Sequence, residues 1–168
     1  MNYTTTQGKN RITLTAYAPL HIFKGWSVAG ISGEAEIDLD NDRIESIWVQ
    51  AETGLFDTGD AFKNKEMYKF IGVKESPRAI FSFAECTYFE QVDEKTYHVS
   101  VNGILDFMDI RRTLPLDVVA IRNGNGFSTG LVFKWSFRRH GVRPPQLFFL
   151  KLKDTVDIRV HLEFKEAG

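Results

Sequence analysis

The chain has 168 residues, a formal net charge of −1 and 43% hydrophobic residues. This length fits one soluble domain that buries about two-thirds of its unfolded surface. A nearly neutral chain without a long run of Lys and Arg lacks the basic face that nucleic acid requires, so we exclude nucleic acid as the main partner. No apolar run reaches the ~20 residues of a transmembrane segment, and the N-terminus carries no apolar signal region. We therefore expect a cytoplasmic protein, or a periplasmic one if a leader has been removed.

Apolar and polar residues alternate along most of the chain. Successive side chains of a strand point to opposite faces, so each alternating segment predicts a strand with one apolar face. The segments are residues 12–16, 34–39, 47–51, 81–83, 97–107, 114–118, 131–137 and 156–164.

One segment and one turn interrupt this pattern. Phe62, Met67, Phe70 and Ile71 recur near a period of 3.6 residues, which predicts a short helix that ends near Gly72. The Asn-Gly-Asn-Gly sequence at 123–126 predicts a hairpin, because Asn and Gly adopt positive φ at low cost.

About eight strands and one short helix predict a single antiparallel all-β domain. A closed eight-stranded barrel would gather the apolar faces inside and remove the exposed strand edges. A sandwich of two sheets would satisfy the same alternation, so periodicity leaves both architectures open.

The polar residues give no catalytic or metal-binding pattern. None of the four histidines stands at metal-ligand spacing from another His, Cys or carboxylate. Cys86, the single cysteine, lies in a predicted strand and is interpreted as a small structural residue. We therefore expect no catalytic residue, no metal and no enzymatic activity.

Aromatic residues are the most unusual part of the composition, since the chain contains fourteen Phe. Leu131, Phe133, Trp135 and Phe137 occupy every odd position of one predicted strand, so their side chains share one face. Such a face can fill a barrel core or line a pocket for an apolar ligand. The residues alone leave both interpretations open.

Three segments carry motifs that belong together. Residues 56–81 contain Phe-Asp-Thr-Gly, the predicted helix and Ser-Pro-Arg-Ala-Ile-Phe, residues 101–116 begin Val-Asn-Gly-Ile-Leu, and residues 127–141 end in Arg-Arg-His-Gly. Together they resemble the YceI-like family of lipocalin-like, polyisoprenoid-binding proteins. The first segment is similar to that family's Thr-Gly strand end, short helix and Pro-x-Ile-x-Phe strand start, and the third to its late strand, which ends in an aromatic or basic residue and a glycine. The second resembles its Gly-x-Leu-Thr-Ile-x-Gly-Val-Thr-Arg-Pro-Val signature, although Asp109 replaces a Gly.

The resemblance implies a bacterial protein with one domain over residues 1–168, and we expect an ordered core of about 10–166. The fold implied is an eight-stranded antiparallel lipocalin-like barrel with one short helix, often in a homodimer. The interior would hold an apolar lipid ligand, a polyisoprenoid or an isoprenoid quinone, for transport or sequestration.

The helix at 62–71 would then cover one mouth of the barrel, and Trp26 or Arg112 would lie near a headgroup. The predicted ligand-binding residues are Trp26, Phe56, Phe70, Phe81, Phe83, Phe107, Leu131, Phe133, Trp135 and Phe137. The main alternative is a filled barrel that serves as a protein-interaction module without a small ligand. An enzyme built on the same barrel is a third interpretation, for which no acid–base pair or nucleophile can be named.

Overall fold

A computed structural model of the chain describes residues 1–147 and 149–167, so Phe148 and Gly168 of the predicted domain lie outside the described residues. Most of the chain is strand. The strands of the main sheet are β1 (Asn2–Thr5), β2 (Arg11–Ala18), β3 (His21–Ser27), β4 (Ile31–Asp38), β5 (Arg43–Glu52), β6 (Arg78–Gln91), β7 (Thr96–Phe107), β8 (Ile110–Asn123), β9 (Gly126–Ser136) and β12 (Thr155–Glu166).

The remaining elements are short. A 3-10 turn spans Thr53–Leu55, α1 spans Ala61–Ile71, and the single-turn helix α2 spans Phe137–His140. A small hairpin is formed by β10 (Gln146–Leu147) and β11 (Leu150–Lys151).

The main sheet closes on itself, which confirms the antiparallel barrel and excludes the sandwich. Its order is β1-β4-β5-β6-β7-β8-β9-β12, and β1 also pairs with β12. The ring therefore has eight members. β2 continues beside β12 where β1 ends, and β3 pairs with β2.

Two predicted local features are confirmed. α1 ends at Gly72, whose φ of 73° is the left-handed conformation that glycine favours. The turn between β8 and β9 falls at residues 123–126, as the Asn-Gly repeat predicts. Strand β1, in contrast, lies outside the expected ordered core of 10–166, and its Tyr3 is buried.

Two turns hold large apolar residues in the left-handed region. Leu20, between β2 and β3, has a φ of 62° and is fully exposed. Phe149, between β10 and β11, has a φ of 65° and is 88% exposed. Both conformations are unfavourable for residues with a bulky Cβ substituent, and no burial offsets the cost.

We expect Leu20→Asn to raise the free energy of unfolding by about 0.5–1 kcal/mol, because Asn adopts positive φ more readily than Leu. Urea denaturation of the purified protein would measure this change. Leu20→Ala is the matched control, since it shortens the side chain but keeps the unfavourable φ. An equal gain in both variants would show that backbone conformation is not the cause.

Candidate ligand-binding cavity

A cavity of about 290 Å³ lies inside the barrel, on the side of α1. Residues from nine strands and from α1 line it, and nearly all of them are apolar. The polar residues of the lining are Lys24, Gln50, Thr53 and Thr58. The Thr53 hydroxyl donates to the carbonyl oxygen of Ser76 at 3.0 Å, so it is already satisfied by the protein.

Eight of the ten predicted ligand-binding residues line this cavity. They come from three strands, from the two helices and from the segment after the 3-10 turn, so the fold gathers side chains that are far apart in sequence. These residues are Phe56, Phe70, Phe81, Phe107, Leu131, Phe133, Trp135 and Phe137.

The other two predicted residues lie elsewhere. Trp26 pairs with Thr13, between the inward-facing Ile12 and Leu14, so its side chain belongs to the outer face of the sheet. Phe83 packs against the core cluster that contains Tyr97 and Val101, outside the lining of the cavity. Neither residue lines the cavity, so a ligand-binding role for them stays a prediction without support from this geometry.

Arg112 lies at the same end of the barrel as α2, but outside the lining. A Cβ built on Gly141 would stand 2.7 Å from the Arg112 Nη2 atom, so the guanidinium packs over the turn that follows α2. Lys24 of β3 borders the cavity, but it is exposed and pairs with Thr15, so its side chain lies on the outer face, as that of Trp26 does.

α1 covers one mouth of the cavity, as the sequence predicts. Its residues Met67, Phe70 and Ile71 line the cavity. Asp60 caps the N-terminus of the helix, and its carboxylate accepts a hydrogen bond from the Lys63 backbone N–H at 2.9 Å. The hydroxyl of Tyr68 donates to the Phe56 carbonyl oxygen and joins the helix to the segment that follows β5.

Asp57 fixes the start of α1 against β3. Its Oδ1 accepts from the Asn64 side-chain amide at 2.9 Å and from the Gly59 backbone N–H at 2.8 Å. These hydrogen bonds, that of Asn64 above all, hold the pKa of Asp57 below its ordinary value. The backbone of Asp57 also exchanges hydrogen bonds with Trp26, at 2.8 and 2.9 Å. Trp26 therefore helps to hold the segment before α1 in place.

Part of the cavity wall is a chain of rings in edge-to-face contact. Trp135 lies 5.7 Å from Phe107 and 4.9 Å from Phe137, and Phe137 lies 5.9 Å from Phe70. His140 is buried behind this wall, and its Nε2 lies 2.7 Å from the Phe107 carbonyl oxygen. Edge-to-face packing on both sides holds the Trp135 indole in place.

A second apolar cavity, of about 130 Å³, lies toward the opposite end of the barrel. Three edge-to-face contacts lie at that end, between Tyr3 and Phe127 at 5.2 Å, Tyr97 and Phe127 at 6.0 Å, and Phe89 and Tyr97 at 5.8 Å. The first cavity has partly exposed lining residues at its outer end, such as Phe23 and Leu147.

Five side chains from five strands line both cavities and form a waist between them. They are Val49, Phe81, Leu116, Leu131 and Leu162. The Phe81 ring reaches this position by lying on Gly103 of β7, where a Cβ would stand 2.3 Å from the Phe81 Cζ atom. Glycine at 103 is therefore required for the ring to lie there.

Several lining residues were not predicted. Ile12, Leu14, Leu116, Ile158 and Val160 line the first cavity, and their inward phase is visible in the alternation. The predicted set is almost entirely aromatic, whereas these five residues are aliphatic. Phe23, Lys24 and Leu147 also line it, but no alternation marks their segments.

The described residues offer apolar burial rather than reactive groups. Among them, no group of three or more His, Cys, Asp or Glu side chains is placed to hold a metal ion. Burial raises the pKa of the Cys86 thiol, which makes the thiolate less available. Within the described part of the chain, no helix has the length and apolar character needed to cross a membrane.

Comparison with known proteins gives one family and several similar structures. The model of the YceI-like domain matches residues 3–164. No curated protein matches the chain in sequence.

The structure of BcnA from Burkholderia cenocepacia is 18% identical with a TM-score of 0.74, over 95% of this chain and 98% of that one. A polyisoprenoid binding domain from Saccharophagus degradans, implicated in plant cell wall breakdown, is 11% identical with a TM-score of 0.79, over 98% of both chains. The YCEI protein of Campylobacter jejuni is 13% identical with a TM-score of 0.64, over 82% of both chains. At these identities the similarity establishes a shared fold.

Proposed function

The chain belongs to the YceI-like family, and from this premise we propose that it binds a long apolar lipid, a polyisoprenoid or an isoprenoid quinone, without catalysing a reaction. The observation that carries this proposal is the apolar cavity of about 290 Å³ inside the barrel. The polyisoprenoid binding domain from Saccharophagus degradans, which shares the fold, supports the same class of ligand. Transport or sequestration of that lipid is the corresponding role.

The physical driving force is the removal of a hydrocarbon tail from water. Each buried methylene contributes ~0.8 kcal/mol before association costs, so a tail gains affinity as it fills the cavity. A cavity lined by Leu, Ile and Phe side chains holds water poorly, so an apolar ligand displaces little bound solvent. A filled barrel, the alternative, would leave no such space.

The position of the waist indicates the orientation of the ligand. Lining residues at the outer end of the cavity, such as Phe23, are partly exposed, whereas the inner end is bounded by the waist. The tail would therefore enter first and the polar headgroup would stay at the outer end. The expected homodimer, and residence in the cytoplasm or periplasm, remain predictions.

Native mass spectrometry of protein expressed in a lipid-replete bacterial host tests the proposal. We expect an adduct with the mass of a polyprenyl lipid or isoprenoid quinone, which organic extraction removes and the added lipid restores. Leu131→Trp fills the interior at the waist, so we expect it to lose this adduct.

Val132→Trp is the matched control, because Val132 neighbours Leu131 on β9 and is exposed on the outer face. This variant should keep the adduct. A bare protein mass for the wild type, together with no binding of added polyprenol or quinone, would refute the proposal. Equal adducts in both variants would place the lipid outside the cavity.

A further inference from the structure

Two hairpin turns carry large apolar side chains that nothing in the protein covers. The pairing of Ala18 with His21 leaves a two-residue turn whose second residue is Leu20. The pairing of Leu147 with Leu150 leaves another, whose second residue is Phe149. Gly or Asn is the usual residue where a turn needs positive φ, so a Leu and a Phe are unexpected there.

Both turns lie at the same end of the barrel. The Lys153 backbone N–H donates to the Tyr17 carbonyl oxygen at 2.7 Å, which joins the segment after β11 to the end of β2. Leu147 and Leu150 pack against the core cluster that contains Ala18 and Leu152. Leu20 and Phe149 therefore project from one end.

That end is also the outer end of the larger cavity. Leu147 of β10 lines the cavity directly, as does Phe23 of β3. Phe149 lies in the turn after β10, and Leu20 lies directly before β3. The two exposed tips thus stand beside the opening.

The charge of the chain is unevenly distributed along the barrel axis. Residues 137–153, at the outer end of the larger cavity, contain five Lys and Arg and no Asp or Glu. α1 contains three Lys and one Glu, and Asp57 and Asp60 lie at its start, so the excess of basic charge at this end comes from residues 137–153. The turn region 36–45, at the opposite end, contains five Asp and Glu against one Arg. Arg138 lies 3.8 Å from Asp154, so one of the basic groups is partly compensated.

From these observations we infer that the end of the barrel at which the larger cavity has its outer end docks onto an anionic lipid bilayer. Leu20 and Phe149 insert into the headgroup region, and the basic residues of 137–153 and α1 contact lipid phosphates. Exposed apolar tips within a basic surface are the combination that stabilises proteins at anionic membranes. A protein partner would instead require a continuous complementary area of about 1,000 Å² or more, and here the apolar residues are separate tips.

Docking in this orientation would place the cavity opening at the source of an apolar ligand. A lipid could then pass from the bilayer into the barrel without its tail crossing water. The inference goes beyond the proposed function, because it concerns a surface rather than the ligand, and it can hold whichever lipid the cavity takes.

Co-sedimentation of the full chain with vesicles tests the inference. We expect the wild type to bind vesicles of phosphatidylcholine mixed with phosphatidylglycerol, and to bind phosphatidylcholine alone weakly. Added salt should weaken the first interaction because it screens the charges. The double variant L20N/F149N should lose about ten- to hundredfold in partition coefficient, because two apolar side chains no longer enter the bilayer.

The double variant is expected to fold, since Asn tolerates the φ of both positions, and its circular dichroism should match the wild type. K151E/K153E should lose the preference for anionic vesicles while keeping the apolar tips. Val92→Asn, at an exposed position in the turn between β6 and β7, and Lys95→Glu nearby are the matched controls at the opposite end. Both should bind as the wild type does.

Three results would overturn the inference. One is a wild type that does not bind the anionic vesicles. Another is equal binding by L20N/F149N and the wild type. The third is a wild type that ignores vesicles but binds a protein partner through Leu20 and Phe149, which would assign the surface to protein recognition. Loss of lipid adducts in mass spectrometry with intact vesicle binding would affect only the proposed function.

Discussion

Replacement of Phe81 by alanine is expected to join the two cavities and to extend the range of tail lengths that the barrel binds. The Phe81 ring belongs to the waist, and it is the largest of the five side chains that line both cavities. Its removal takes away the bulk between a cavity of about 290 Å³ and one of about 130 Å³. A tail that stops at the waist in the wild type could then continue toward Phe127.

The measurement is the affinity for a series of polyprenols of increasing length. In the wild type we expect affinity to rise with length and to level off once the first cavity is filled. In Phe81→Ala the rise should continue, and the longest chains should bind at least about tenfold more tightly, because a few additional buried methylenes supply that free energy.

Phe133→Ala is the matched control for this experiment. It makes the same substitution at a residue that lines the first cavity only. It should enlarge that cavity and leave the length at which affinity levels off nearly unchanged. If both variants shift this length equally, the waist does not limit the tail. If neither shifts it, the tail already passes the waist in the wild type.

The strands of the barrel could be predicted because the alternation of apolar and polar residues is a local pattern in the sequence. Alternation reports which side chains share a face, and the segments that alternate, such as 97–107 and 156–164, became β7 and β12. The inward phase of residues 131–137 and of Phe81 follows from the same rule, and eight of the ten predicted residues line the larger cavity. Their role in ligand binding stays a prediction. Because the sheet closes into a barrel, the apolar faces of all these strands point into one interior.

Depth along the barrel axis was not predictable from alternation. Phe81 and Phe83 share a phase, yet Phe81 lines both cavities and Phe83 packs against the Tyr97 cluster. The register of β6 against β7 shifts directly after Phe83, so the regular alternation ends there. A face can be deduced from periodicity, whereas a position within the interior depends on register and closure.

The placement of residues in β3 and in the small hairpin was not predictable either, for a different reason. Neither segment shows alternation in the sequence, and the pairing of Trp26 with Thr13 turns Trp26 outward. Phe23 and Leu147 reach the cavity because β3 and the small hairpin pack over its outer end. That packing is set by contacts between distant segments, such as Lys153 with Tyr17, which no local pattern encodes.

Trp135→Ala is expected to lower the free energy of unfolding of the lipid-free protein by about 3 kcal/mol, which is the lower end of the range for such deletions. Trp135 is 7% exposed and packs edge-to-face against Phe107 and Phe137. It also lines the larger cavity, so the substitution enlarges an existing space and forfeits fewer contacts than in a filled core. Urea denaturation of the extracted protein measures this loss.

The same variant should lose most of the stabilisation that added lipid gives. A ligand that binds only the folded state stabilises it by RT ln(1 + [L]/Kd), so weaker binding appears directly as a smaller shift of the urea midpoint. Val132→Ala is the control, because it lies on the exposed face of the same strand and should change stability by no more than about 0.5 kcal/mol. A loss near 5 kcal/mol with unchanged stabilisation by lipid would instead identify Trp135 as part of a filled core, and would favour the protein-interaction alternative.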